Sequence, residues 1–230
     1  HAIAASCSFY PAHHLCTIEG GMVSSNIKEV VDLARSFAWW GRGCYCVGAQ
    51  NKLPNGVCGN RFDNWLKGYD QQVDHKYVFG VQGYNLKPAD LQGSIGLIQL
   101  TKQDEIHAIR RANKVRLHEI FSKIPGVRVI EEKEHAETSW FGVPIVCEDG
   151  PVSTNKHHLV KYLEDNKIQT RNYFAGNILL HPGYRDLGKA SDYPNANQVL
   201  DKVFFLGCSP TINEKMLQYI EKVIGNYVSN

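Results

Sequence analysis

The chain has 230 residues, 43% of them hydrophobic and 21% charged, with a formal net charge of +2 at pH 7. That length suits one large domain or two modest ones with a real core, and the composition is that of an ordinary globular protein. Charges of both signs are mixed along the chain, and no apolar run reaches the ~20 residues of a membrane span, so neither nucleic acid nor a membrane is an expected partner.

The first ten residues, HAIAASCSFY, are small, apolar and β-permissive. They carry neither a start methionine nor a signal-peptide pattern, and they are expected to be a strand entered midway in a longer chain. The Gly20-Gly21 turn and the short run MVSS follow. NIKEVVDLARSF predicts a helix: Asn26 and Glu29 have capping-box spacing, and Ile27, Val30, Val31, Ala34 and Phe37 recur at the helical period. Over residues 39–68 the periodicity stops and glycine, asparagine and cysteine dominate, as in a functional insertion. GYNLKPADLQGSIGLIQL leads from an extended piece into a helix, with Pro88 suited to its first turn. DEIHAIRRANKVRLHEIF continues as helix.

Beyond about residue 125 the pattern alternates. SWFGVPIV reads as a strand, TNKHHLVKYLEDNK as a helix, and IQTRNYF and KVFFLGCSP as strands. TINEKMLQYIEKVIGNYV reads as a terminal helix, capped by Thr211 and Glu214, with Leu217, Ile220 and Ile224 on one face. This order predicts a compact α+β module. The expected division is 1–105 and 106–230.

Two His-His pairs stand out. His157-His158 lies in the charged half of a predicted amphipathic helix, where a solvated face is expected. His13-His14, in SFYPAHHLCTIEGG, follows a strand and precedes a Gly-Gly turn, the strand-end position where α/β enzymes place chemistry.

Seven cysteines cannot all pair with one another. Without a secretion pattern the expected compartment is the reducing cytoplasm, where clustered thiols bind metal or do redox chemistry. Cys7, Cys16, Cys147 and Cys208 stand singly and are expected to be small buried hydrophobes. Cys44, Cys46 and Cys58 share a Gly-rich stretch. Thiolates are what an iron–sulfur cluster requires, whereas the usual zinc knuckle separates its cysteines by two to four residues. Three unrelated thiols are the alternative. A fourth ligand would come from upstream sequence or from His75.

Taken together, SFYPAHHLCTIEGG, GRGCYC with CGNRF, DHKYVFGVQGYNLKPADLQ and TRNYFAGN resemble the vitamin B6-dependent sugar aminotransferases and dehydratases of the DegT/StrS type. Within that family they are most similar to the 3-dehydratases of CDP-linked 4-keto-6-deoxyglucose, which make 3,6-dideoxysugars. The resemblance implies an α/β fold of the pyridoxal phosphate-dependent, aspartate aminotransferase-like kind. Residues 1–105 would be the C-terminal remainder of the cofactor-binding large domain, and 106–230 the small domain.

In the aminotransferases a Ser-Phe pair is followed, after three residues, by the lysine that tethers pyridoxal phosphate. His13 occupies that position here, as in the dehydratase members. Histidine has no primary amine to form the tether, but an imidazole titrating near ~6.5 can move protons at neutral pH. The implied cofactor is therefore untethered pyridoxamine phosphate, with His13 as the base for its C4′ proton.

By the same resemblance Ser8 bonds the cofactor phosphate, Tyr10 lines the pocket, and Asn85 reaches the phosphate from the partner subunit of a homodimer. Arg171 and Asn177 are the implied contacts to a nucleotide-sugar substrate. Cys44, Cys46 and Cys58 are the implied ligands of a [2Fe–2S] cluster fed by an NADH-dependent flavin reductase, although the Cys46-to-Cys58 gap is longer than that subgroup's. The alternatives are the cluster-free GDP-4-keto-6-deoxymannose 3-dehydratase type, a sugar aminotransferase, and an inactive dimerisation module.

Overall fold

In the computed structural model, residues 2–44, 58–63 and 66–229 are described. They form two compact units, His1–Thr101 and Lys102–Asn230.

In the first unit, strands β1 (Ala5–Ser8) and β2 (Gly21–Ser24) pair antiparallel, with Ala5 opposite Ser24 and Ser8 opposite Gly21. Helix α1 (Lys28–Ala38) follows. Its N-cap is Ile27, one residue later than the capping-box spacing predicts, and Ile27 provides no side-chain cap. Ser25 organises the entry: its hydroxyl donates to the Ile3 carbonyl at 2.6 Å and its oxygen accepts the Ile27 N–H at 3.0 Å. Val30, Val31 and Ala34 are half-buried, and only Ser36 of this helix is fully buried.

Helix α2 (Asp90–Leu100) begins after Pro88 rather than on it. Gln92 turns back to accept the Ala89 N–H at 2.7 Å, which satisfies one of the donors a helix start leaves open. No residue of α2 is buried, and Leu91, Leu97, Ile98 and Leu100 are all exposed.

The second unit begins with the long helix α3 (Gln103–Phe121). It continues through β3 (Val127–Val129), β4 (Gly142–Cys147), α4 (Lys156–Asp165), β5 (Arg171–Asn172), α5 (Pro194–Lys202), β6 (Val203–Gly207) and α6 (Glu214–Ser229). The strands form one antiparallel sheet in the order β3-β4-β6-β5. Ile145 stands opposite Phe204, and Val143 opposite Leu206. These four are buried, whereas Phe205 between them is only half-buried: the two-residue alternation of a sheet with one face on the core.

Leu117, Ile120 and Phe121 of α3, Leu159 and Leu163 of α4, and Leu217, Ile220 and Ile224 of α6 close over that face. Phe121 meets Phe204 edge-on at 6.5 Å. Burying each such side chain contributes roughly 1.5–3 kcal/mol.

The cap of α6 also differs from expectation. Asn213, not Thr211, accepts the Met216 N–H at 3.1 Å, because the Thr211 hydroxyl is engaged with Ser209 at 2.5 Å. Cys147 and Cys208 are core residues, and burial pushes the Cys147 thiol up to about 11. Cys7, by contrast, is exposed, because both strands of its small sheet are. Among the described residues no helix is long and apolar enough to cross a membrane.

Candidate functional site

The loop joining β1 to β2 holds Ser8, Tyr10 and His13 together. Pairing continues past Ser8, with the Phe9 N–H donating to Gly20 O at 2.9 Å and the Thr17 N–H to Phe9 O at 3.0 Å. Tyr10-Pro11-Ala12-His13 then forms a turn closed by the His13 N–H on Tyr10 O at 2.9 Å, with proline where a turn's fixed φ suits it. The Ser8 Oγ accepts the Tyr10 N–H at 3.3 Å, and the Tyr10 ring meets the His13 imidazole edge-on at 5.6 Å. Ser8 and Tyr10 are exposed, whereas His13 is half-buried.

The far side of this loop is fastened down. Thr17 is buried and its hydroxyl donates to Glu19 O at 2.8 Å. Gly20 has φ +150°, and a side chain there would meet Thr17 Oγ1 at 2.7 Å, so glycine is required. Gln92 of α2 donates to the same Glu19 carbonyl at 2.6 Å, and Gly96 lets α2 approach the Thr17 methyl. The Gly-Gly turn thus anchors the histidine-bearing loop against a helix.

Asn85 lies on a second, exposed segment. Its neighbours pair with the end of α1: the Tyr84 N–H donates to Phe37 O at 2.7 Å, the Trp40 N–H to Tyr84 O at 2.8 Å, and the Leu86 N–H to Ala38 O at 3.0 Å. Gly41, just before the cysteines, and Gly83 have a packing reason. A Cβ on Gly41 would lie 1.8 Å from Val81 O, and one on Gly83 2.1 Å from Gly41 N. Two backbones cross there at contact distance.

Cys44, just beyond, is buried, and Cys58 is half-buried. Cys46 lies outside the described residues. Among the described residues no three His, Cys, Asp or Glu side chains are grouped to hold a metal ion. His75 is buried, with its Nδ1 at 3.1 Å from Arg61 O. Arg61 also grips Asp74, holding that carboxyl below the usual range.

In the second unit, Arg171 sits on β5. Its guanidinium donates to Thr170 O at 2.8 Å and lies within 3.1 Å of the Gln169 carboxamide oxygen once that amide is turned toward it. Arg171 stands opposite Phe205, whose ring gathers with Phe141, Tyr173 and Phe174 at 5.8–6.2 Å. Phe174, 68% exposed and in a left-handed conformation (φ 51°), ends the strand.

Asn177 is engaged within its own unit. It is 2% exposed, donates to Ala190 O at 3.0 Å and Asn197 Oδ1 at 2.7 Å, and accepts the Leu179 N–H at 3.1 Å. Its amide is consumed in holding the 178–193 segment. A cavity of about 600 Å³, lined in part by Lys167, Gly207, Thr211, Lys215 and Tyr219, lies elsewhere on this unit, and no sequence motif pointed to it.

Comparison with known proteins places these features in a family. The chain is 36% identical over 225 residues to a dTDP-4-dehydro-2,6-dideoxy-D-glucose 3-dehydratase of Saccharopolyspora spinosa, covering 96% of this chain and 47% of that protein. It is 36% identical over 220 residues to the lipopolysaccharide biosynthesis protein RfbH of Salmonella typhimurium, covering 93% and 48%. The chain therefore spans about half the length of the curated relatives it matches. Its fold matches that of an E. coli GDP-4-keto-6-deoxy-D-mannose-3-dehydratase solved with bound hydrated PLP. The TM-score is 0.74 at 22% identity, over 96% of this chain and 54% of that one. The architecture is accordingly that of the PLP-dependent aminotransferase fold. With residues 1–224 matching its family model, the chain belongs to the DegT/DnrJ/EryC1/StrS aminotransferase family.

Proposed function

We propose that the chain carries the proton-transfer residue of a vitamin B6-dependent enzyme that removes the C3 hydroxyl of a nucleotide-linked 4-keto-6-deoxyhexose. The observation that carries this reading is the anchored loop that presents a histidine, rather than a lysine, beside Ser8 and Tyr10. The 36% identity to a relative named as a sugar 3-dehydratase supports it.

The donor set fits pyridoxamine phosphate. The Ser8 oxygen already accepts the Tyr10 N–H, so its hydroxyl proton can go to a phosphate oxygen. The Tyr10 ring offers an aromatic wall, and residue 13 brings no competing amine. When bound, that cofactor supplies the primary amine and the electron sink for the sugar chemistry.

The chain's own residues have simpler tasks. His13 takes and returns the proton at C4′, and its place at the end of a closed turn limits where the imidazole can reach. Tyr10, in edge contact, restricts the imidazole's orientation. Asn85, exposed on a segment fixed to α1, would meet the phosphate of a second copy's site. Arg171, held by Gln169 and Thr170 beside an aromatic group, would meet the anionic substrate.

The described residues do not complete a ligand set for an iron–sulfur cluster, and no step is assigned to one. A second reading is a cluster-free dehydratase of the GDP-4-keto-6-deoxymannose type, supported by 29% identity over 199 residues to a GDP-4-keto-6-deoxy-D-mannose 3-dehydratase of Yersinia pseudotuberculosis. Iron and sulfide analysis after anaerobic purification separates the two: stoichiometric iron and sulfide, lost on Cys44→Ser, selects the cluster enzyme and its reductase partner.

The main test is tethering. After incubation with pyridoxal phosphate and borohydride, the unmutated protein is expected to gain no cofactor mass on residue 13, and His13→Lys to gain it. His13→Asn should lower dehydration by about 10²–10⁴-fold, the usual worth of a positioned base. A borohydride-fixed cofactor on the unmutated protein, or undiminished dehydration by His13→Asn, would overturn the proposal.

A further inference from the structure

Lys156 opens α4 and is buried, 7% exposed. Nothing in α4 calls for a cation there. A positive charge in the first turn opposes the helix dipole, and a buried ammonium is costly unless it is well bonded. Its bonds lead away from the helix. Nζ donates to Leu200 O at 2.6 Å, in the last turn of α5, where unsatisfied carbonyls favour a cation. It also donates to Asn172 Oδ1 at 3.2 Å, on β5. Burial draws its pKa down, while Cys147 and Asp201 nearby act the other way.

Strand β5 is two residues long, with Arg171 opposite Phe205 and Asn172 opposite Phe204. Directly opposed residues share a face of the sheet. Phe204 is a core residue, 1% exposed, so Asn172, although itself exposed on this edge strand, lies on the same side of the sheet as the core, and Arg171 on the other, where the aromatic rings gather. Two pairings fix a register weakly, and a slip of one residue would exchange the faces and turn Arg171 inward. Contacts to α4 oppose such a slip on both sides. Glu164 Oε1 accepts the Thr170 N–H at 2.6 Å and the Thr170 hydroxyl at 2.7 Å, one residue before the strand, and Lys156 holds Asn172 at its end.

We propose that Lys156 is a positioning residue: by holding Asn172 on the core face of the sheet, it fixes Arg171 on the opposite face, where a nucleotide-linked substrate meets it. The substrate half of this statement rests on the function proposed above; the register half does not.

The test uses Lys156→Met, which keeps the side-chain volume and removes the donor. Hydrogen exchange should accelerate about tenfold or more at Arg171 and Asn172, and by less than about twofold at Ile145 and Phe204 in the core strands. Binding of CDP, GDP and dTDP, used as probes in calorimetry, should show the tightest of them weakened about tenfold. Combining Lys156→Met with Arg171→Ala should add little to Arg171→Ala alone, because both act through one contact.

Unchanged exchange at β5, or acceleration spread evenly over the sheet, would overturn the register role. Fully additive binding losses would overturn the link to Arg171. If no nucleoside diphosphate binds the unmutated protein, the substrate reading fails while exchange still decides the register. Should Lys156→Met not fold, Asn172→Ala keeps the Leu200 bond and must show the same local acceleration.

Discussion

The two units differ in what holds them. Every buried hydrophobic residue among the described ones, apart from Cys44, belongs to the unit Lys102–Asn230. There a four-stranded sheet and three helices close on one continuous core. The unit His1–Thr101 is held by backbone pairing, glycine crossings and a few side-chain hooks, and its helix α2 buries nothing fully. The contrast teaches that stability and chemistry are divided. The well-packed unit positions Arg171, and the open unit carries His13 on a loop whose fit depends on hydrogen bonds.

The sharpest way to break that contrast is to separate the units. Residues 102–230 alone are expected to melt cooperatively by circular dichroism, and residues 1–101 alone to show no cooperative transition, since a two-stranded sheet with little apolar burial is marginal in water. A cooperative melt of the first piece would show that its hydrogen bonds suffice without a core.

Within the intact chain, Phe121→Ala is expected to destabilise the second unit by about 3–5 kcal/mol, because the ring is fully buried against Phe204 and its loss leaves a cavity. Leu97→Ala, at a side chain 67% exposed in the first unit, should change stability by no more than about 0.5 kcal/mol. Denaturant titration measures both. Similar losses would mean that α2 is covered in solution.

The same division governs what the sequence discloses. Helices α3, α4 and α6 and strands β4 and β6 are legible because a core imposes its periodicity on them. β5 is shorter than its apolar run suggests, because Phe174 and Gly176 turn left-handed and end the pairing. Helix α5 is missed because PNANQVLDK is polar, although Pro194 in its first turn is a start signal. The cap positions are displaced at Asn26 and Thr211 because hydroxyls of Ser25 and Ser209, engaged elsewhere, decide the local geometry.

At the candidate site, the turn at Pro11 can be read from the residues that form it. The fate of Asn177 cannot, since its amide is used by Ala190 and Asn197, and these reach it only through the fold. Lys156 is similarly hidden: in TNKHHLVK it looks like any solvated lysine.

A smaller effect probes the first unit's dependence on backbone approach. Gly41→Ala would set a Cβ 1.8 Å from Val81 O at a residue with φ +78°, and should cost about 1–3 kcal/mol locally. Exchange at the Trp40 and Tyr84 amides reads that loss. Gly93→Ala, in α2 with nothing within 4 Å of the added methyl, should instead stabilise by up to about 1 kcal/mol. If both substitutions were neutral, the backbone crossing would not be what holds this unit.

The smallest expected effect concerns acid. Glu164 is kept below the ordinary carboxylate range by the two bonds it accepts from Thr170. Because its folded pKa lies below its unfolded one, the unfolded chain takes up the proton first as the pH drops. Its contribution is complete above the unfolded value, near ~4.3, and is lost as the pH falls through the folded value. Glu164→Gln keeps an acceptor for Thr170 but does not titrate. At pH 7 it should be less stable by about 0.5–1 kcal/mol, a modest figure because the carboxylate is exposed, and the gap should close below about pH 4. Thermal melts of the two proteins from pH 7 to pH 3 measure it. A gap that persists unchanged into acid would mean that the charge of Glu164 adds nothing to its hold on Thr170.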